Sequence, residues 1–405
     1  AGTDMDMVSC GFLNTLEESL KEGKVTEEQI NAACRRVLEA KYKLGLFSDP
    51  YKYCDTLRVE KELYTTAHRA VAREIAAETF VLLKNEDHLL PLERKGKIAL
   101  IGPMADARNN MCGMWSMTCT PSCHGTLLEG IRSAAGDKAE ILYARGSNIY
   151  HDAELEKGGA GIRPLERGNE LQLLDEALHT AARADVIVAA LGECAEMSGE
   201  SASRTELGIP DAQQDLLKAL VKTGKPVVLL LFTGRPLVLN WEDANVHSIL
   251  NVWFGGSETG DAIADVLFGK VTPGGKLTTT FPRSVGQLPL YYNHLNTGRP
   301  DPDSHSFNRY SSNYLDMSNE PLYPFGYGLS YTNFSYGNLQ LSSDVLSRNG
   351  ELTVSVTVTN DGDFDGYEIV QMYLHDIYAE ISRPVKELKG FERIFLKKGE
   401  SREVK

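Results

Sequence analysis

A chain of 405 residues, 42% of them hydrophobic and 24% charged, has the make-up of an ordinary globular protein with room for two or three domains, each with its own core. The net charge of −14 works against a nucleic-acid partner, whose phosphates call for a basic surface. No stretch reaches the roughly eighteen uncharged apolar residues of a membrane-spanning helix, and seven cysteines in so long a chain do not make a disulfide scaffold.

In chain order, Leu13 to Leu20 reads as a short helix closed near Gly23. Thr26 and Gln29 have the spacing of a capping box, with Val25 and Ile30 set as its hydrophobic staple. Ile30, Ala33, Cys34, Val37 and Leu38 follow at helical spacing, Gly45 is the expected C-terminal cap, and Pro50 blocks continuation. From about Leu63 the pattern alternates between α and β. A helix with Ala67, Val71 and Ile75 on one face runs toward the apolar Phe80–Leu83. Strands read at Ile98–Ile101, Ile141–Ala144, Val186–Leu191, Val227–Phe232 and Ile249–Phe254, with helices such as Leu171–Ala182 and Gln213–Val221 between them. Continuous apolar strands separated by amphipathic helices predict a mainly parallel sheet covered on both faces. Ligands bind beyond the carboxyl ends of such strands, so the loops after Ile101, Leu191, Phe232 and Phe254 are the candidate site. Residues 282–336, rich in Pro, Tyr, Asn and Gly, read as an extended connector. From Leu339 the alternation of Leu352, Val354, Val356 and Val358, the Asn360-Asp361-Gly362 turn and the run from Ile369 to Leu374 predict an antiparallel β-sandwich of fibronectin type III kind. The expected divisions are 1–60, 61–290, 291–336 as connector, and 337–405. Without an initiator Met, and with strand-like alternation just beginning at Glu400–Lys405, both ends read as cut.

The loop from Gly192 to Arg204 carries Glu193, Glu196, Glu200 and Arg204 at the ligand end of a parallel strand. A glycosidic bond is cleaved by a carboxylic acid that protonates the leaving oxygen and a second carboxylate opposite it; the same residues also fit a solvated acidic loop. Trp115, in Gly113-Met114-Trp115-Ser116, fits either a core or a platform for the apolar face of a sugar. Cys112, Cys119, Cys123 and His124 could tempt a zinc ion, but they contain no CxxC pair; free thiols or one local disulfide are expected, and no metal. No GxGxxG follows the first parallel strand, so no nucleotide cofactor is expected.

Several long segments together resemble glycoside hydrolase family 3, and most closely its periplasmic, three-domain β-glucosidases. They include Ala1–Met7 (AGTDMDM), Lys41–Pro50 (KYKLGLFSDP), Thr233-Gly234-Arg235-Pro236, Phe281–Gln287 (FPRSVGQ), Leu322–Tyr331 (LYPFGYGLSY) and Arg383–Phe391 (RPVKELKGF). The resemblance implies a TIM-like barrel bearing an aspartate nucleophile, of which this chain keeps only a short helical remnant, then an α/β sandwich, then a truncated fibronectin type III-like domain. The family's acid/base motif falls on Gly199-Glu200 with Arg204. Glu200 is thus the implied general acid/base, Arg204 its organiser and a substrate-binding residue, and Trp115 the sugar-binding aromatic. Some relatives carry a second Trp where this chain has Cys119. The implied activity is retaining hydrolysis of terminal non-reducing β-D-glucosyl residues from glucosides or oligosaccharides, without a cofactor. The nucleophile lies outside this chain, the fragment alone is inactive, and the location is periplasmic or secreted, with a homodimer as a candidate assembly. The alternatives are a related exo-glycosidase such as a β-xylosidase, and a non-catalytic carbohydrate-binding or assembly piece.

Overall fold

The computed structural model describes residues 2–116, 119–156, 166–301 and 307–405. The chain divides into two compact units, residues 1–65 and 66–405. The first holds three helices, α1 (Gly11–Lys21), α2 (Glu27–Lys43) and α3 (Arg58–Glu62). The capping box of α2 forms: Thr26 Oγ1 accepts from the Gln29 backbone N–H while the Gln29 side chain accepts from the Thr26 N–H. At the other end Gly45, at φ +76°, donates to the Tyr42 carbonyl and Leu46 to that of Lys41, the paired bonds of a Schellman cap. Arg36 of α2 holds Asp4 through two bonds of 2.5 and 2.7 Å.

The second unit opens with α4 (Thr66–Thr79) and β1 (Val81–Asn85). It continues with β2 (Lys97–Ile101), α5 (Leu127–Ala135), β3 (Glu140–Ala144), α6 (Glu170–Ala182), β4 (Val186–Gly192), α7 (Asp211–Val221), β5 (Val227–Phe232), α8 (Asn240–Asn245), β6 (Ser248–Asn251) and α9 (Thr259–Leu267). The six strands form one sheet in the order β1-β6-β5-β4-β2-β3. All pairs are parallel except β1 with β6, so Phe80–Leu83 leads into an antiparallel edge strand. Both faces are covered, as the apolar runs predict. Val228, Leu230 and Phe232 of β5 point into one apolar cluster with Leu127 and Ile131 of α5 and Ile263 and Val266 of α9. Val227, Leu229 and Leu231 point into another with Ala177 and Ala181 of α6 and Leu216, Leu217 and Leu220 of α7.

One expected helix face differs. Val71 and Ile75 of α4 are more than half exposed, and the buried face is instead the small one of Ala76 and Ala77. Ion pairs decide this rotation. Arg69 forks onto Glu258 at 2.8 and 3.1 Å and Arg73 onto Asp265 at 2.5 and 2.7 Å, tying α4 to α9 by its polar side. The connector is also more deeply seated than its composition suggests. Buried Tyr331 donates to the Val266 carbonyl at 2.9 Å, and Tyr323 packs edge-on against Phe281. Beyond it, β7 (Phe334–Leu341), β8 (Val354–Asn360) and β11 (Ser401–Val404) form one antiparallel sheet, and β9 (Gly366–Leu374) with β10 (Glu387–Leu396) another. Val358, Val370, Ile394, Leu396 and Val404 make the small core of this sandwich.

Glu242 of α8 is 3% exposed. Burial is the largest influence on it and, against weaker help from Lys218 and Gln214, pushes its carboxyl up to about 7 from an ordinary 4.5. Between those values the folded state holds more protons than the unfolded one, so stability falls as pH rises. The loss is absent below about pH 4.5 and complete above about pH 7. Glu242→Gln is therefore expected to stabilise the fold at about pH 8, by up to about 3 kcal/mol, and to leave it unchanged near pH 4. Thermal unfolding of both proteins across that range checks this; parallel profiles would show that Glu242 titrates as an ordinary carboxyl.

Candidate active site

The strand order sets where a ligand can sit. From β2 the chain crosses to β3 on one side, and it returns to place β4 on the other side of β2 before running outward through β5 and β6. Between β2 and β4 the connections therefore diverge, and a crevice opens at their carboxyl ends, where open α/β sheets bind ligands. Trp115 lies on the loop after β2 and Glu200 on the loop after β4. Both are at this crevice.

Small residues let the loops close on one another there. A Cβ at Gly199, whose φ is +108°, would lie 2.7 Å from Met114 Cγ and 3.7 Å from the indole nitrogen of Trp115. The residue before Glu200 thus touches the tryptophan loop directly. A Cβ at Gly234, after β5, would lie 2.4 Å from Ser198 Cβ and 3.6 Å from the Phe254 ring of the loop after β6. Trp115 is 73% exposed, far more than a core tryptophan. Glu200 is exposed too, and among the described residues none hydrogen-bonds its carboxylate. Ser116 Oγ bonds the Gly113 carbonyl at 2.6 Å, and the Cys112–Cys119 disulfide closes the Trp115 loop.

Arg204 is not beside Glu200. It donates to Glu193 Oε1 at 2.8 Å and to the Gly208 carbonyl at 3.1 Å. Glu193 is completely buried. Its Oε2 accepts from Thr233 Oγ1 at 2.9 Å and from the Gly234 backbone N–H at 3.0 Å. Arg235 Nε lies 3.0 Å from Oε1 but off the hydrogen-bond direction, so that attraction is electrostatic. Arg235 also donates to the Ala202 carbonyl at 2.7 Å and to that of Met197. The third glutamate of the loop, Glu196, is half-buried, with burial raising its proton affinity and one carboxylate oxygen lacking a partner. The roles of Thr233 and Arg235 escaped the residue-by-residue reading. The signal was present: a polar Thr-Gly-Arg turn directly follows a fully apolar strand at the ligand end of the sheet.

Ligand-type atoms of Cys112, Cys119 and His124 lie within 4.8 Å of one another, but in the disulfide neither sulfur has a thiolate to offer a metal. Cys123 is free and exposed. Elsewhere, a cavity of about 850 Å³ between α4, α9 and the sandwich shares no residue with the loops after β2, β4 and β5. Its cations Arg69, Arg73, Lys270 and Arg393 are each already paired with a carboxylate, which leaves no spare positive charge for a ligand.

The sequence and the fold were compared with known proteins. The chain is 47% identical to a periplasmic beta-glucosidase of Salmonella typhimurium, over all of this chain and 54% of that protein. It is 38% identical to a beta-xylosidase of Formosa agariphila, again over the whole chain and 54% of the relative. The structure matches that of a beta-glucosidase from Listeria innocua in complex with isofagomine, with a TM-score of 0.86 at 37% identity, covering all of this chain and 53% of the other. The chain thus spans about half the length of the curated relatives it matches. The fibronectin type III-like domain model matches residues 368–405, and the glycosyl hydrolase family 3 C-terminal domain model matches residues 80–331, more than half of the chain. The parallel α/β sheet followed by a fibronectin type III-like sandwich belongs to glycoside hydrolase family 3.

Proposed function

We propose that this chain supplies the acid/base half of a retaining β-glucosidase, with Glu200 as general acid/base and Trp115 as the platform for the sugar. The observation that carries the reading is the meeting of the two loops beyond β2 and β4, where Gly199, the residue before the exposed Glu200, packs on Met114 close to the exposed indole. An indole face and a carboxylate on adjoining loops suit a ring with an apolar face and a leaving oxygen at its edge. The nucleophilic carboxylate is assigned to the half of the relatives' length that this chain does not span. It attacks C1 while Glu200 gives its proton to the departing oxygen. Glu200 then takes a proton from the water that attacks C1, and the nucleophile leaves as carboxylate, with one water consumed. The beta-glucosidase relatives support a β-glucoside substrate, and the periplasmic one supports a periplasmic or secreted location. No helix among the described residues is long and apolar enough to cross a membrane. A homodimer remains part of the proposal, to be read by light scattering. The beta-xylosidase relative keeps β-xylosides as the second substrate to assay.

A retaining mechanism needs two carboxyl groups about 5–5.5 Å apart, so this chain alone is expected to leave aryl β-glucosides intact. In the full-length protein, Glu200→Ala should lower kcat/KM for glucosides with poor leaving groups on the order of 100-fold or more and far less for activated aryl glucosides, whose glycosyl-enzyme still forms but reacts slowly with water. Azide should restore turnover of the activated substrate and yield a β-glucosyl azide. Glu196→Ala should show no such rescue; rescue there and not at Glu200 would move the acid/base to Glu196. Trp115→Ala should raise KM for glucosides by roughly tenfold, the equivalent of about 1.4 kcal/mol of lost stacking, with kcat changed much less. An unchanged KM in steady-state assays would remove Trp115 from the sugar site.

A further inference from the structure

We propose that Glu193 is a positioning residue for the acid/base loop, acting through a buried clamp in which one carboxylate joins two guanidinium groups. The inference rests on the reading of Glu200 given above. The loop leaves β4 at Glu193, and eleven residues later Arg204 returns to bond that carboxylate. The two ends of the excursion are thereby tied at its neck, with Glu200 between them. The other carboxylate oxygen is fastened to Thr233 and Gly234 of the next loop, which anchors the neck to the sheet. Arg235 then reaches past Glu193 to the carbonyls of Met197 and Ala202. These two residues flank Glu200, so the segment carrying the acid/base is gripped on both sides. Every one of these bonds passes through Glu193 or through a cation paired with it.

The charge count explains why neutral substitutes are poor ones. The cluster holds one negative and two positive groups, with Glu193 fully buried and Arg204 and Arg235 only 12% and 22% exposed. A buried ion that loses its partner costs more than the pair contributes. Without the carboxylate charge, two guanidinium groups would face each other with no counterion between them. The neck would open, and Glu200 would lose its fixed place at the contact with the Trp115 loop while remaining chemically intact.

A clamp that only stabilised the fold would reduce turnover of all substrates alike. A clamp that positions Glu200 should give Glu193→Gln a weaker copy of the Glu200→Ala phenotype in the full-length protein. The expected result is a fall in kcat on the order of tenfold or more for glucosides with poor leaving groups. Activated aryl glucosides should lose much less, KM should change little, and azide should restore part of the turnover. Arg204→Lys and Thr233→Val weaken the same clamp without discharging it and should show the same pattern in milder form. They also carry the test if Glu193→Gln does not fold. Folded variants that lose activity equally on both substrate classes, without azide rescue, would overturn the positioning role. Absence of rescue in Glu200→Ala itself would instead sink the assignment of Glu200.

Discussion

Everything at the candidate site depends on β2 and β4 lying side by side while their connections leave in opposite directions. Ile98 pairs with Val186 and Ile101 with Ala189, so β4, which ends at Gly192, runs three residues past the end of β2. The crossover from β2 runs through α5 to β3 and that from β4 through α7 to β5, and neither helix can cover the gap between them. The loops that fill the gap are long, and their backbone amides need partners that no regular element provides. Side chains and turns supply them: Asn110 accepts from the Ala195 N–H at 2.8 Å, and Gln213 both donates to and accepts from Gly192 at 2.9 Å.

Three glutamates within eight residues meet three environments in this crevice. Glu193 is buried and ionically held, Glu196 is half-buried with an oxygen left over, and Glu200 stands exposed one residue after the contact of Gly199 with the Trp115 loop. Their chemistry is the same, so what each can do is set by its surroundings alone. A buried carboxylate with two cations and two neutral donors is rigid because every displacement breaks a charge-assisted bond. An exposed carboxylate on a rigid loop can approach a substrate without reorganising. The two conditions are complementary, and one loop meets both.

What could be read from the chain follows the range of the forces involved. The α2 cap was legible because Thr26 and Gln29 are three residues apart and act through local backbone. The parallel strands were legible because burial on both faces leaves no polar positions. The rotation of α4 was not, since Arg69 and Arg73 find their partners about 190 residues away and overrule the pull of Val71 and Ile75. The pairing of Arg204 with Glu193 was hidden for another reason: a loop has no period, so nothing along the chain tells which of three carboxylates an arginine will choose. Family resemblance singled out Glu200 and Trp115 as site residues, but it could not tell that Arg204 turns away from Glu200.

That turn removes a conflict for the role proposed for Glu200. A general acid has to carry a proton at the working pH, and a cation held against it would favour the ionised form. Arg204, only four residues from Glu200, has its charge engaged by Glu193, so under the role proposed for Glu200 it ties the loop without opposing proton transfer. Across the contact made by Gly199 lies the loop of Trp115, which is uncharged and brings apolar surface. With 73% of it facing solvent, the indole gains from any apolar ring face laid upon it. The cations are thus engaged at the neck of the loop and the uncharged aromatic stands on the adjoining loop, an arrangement that suits the proton donation proposed for Glu200.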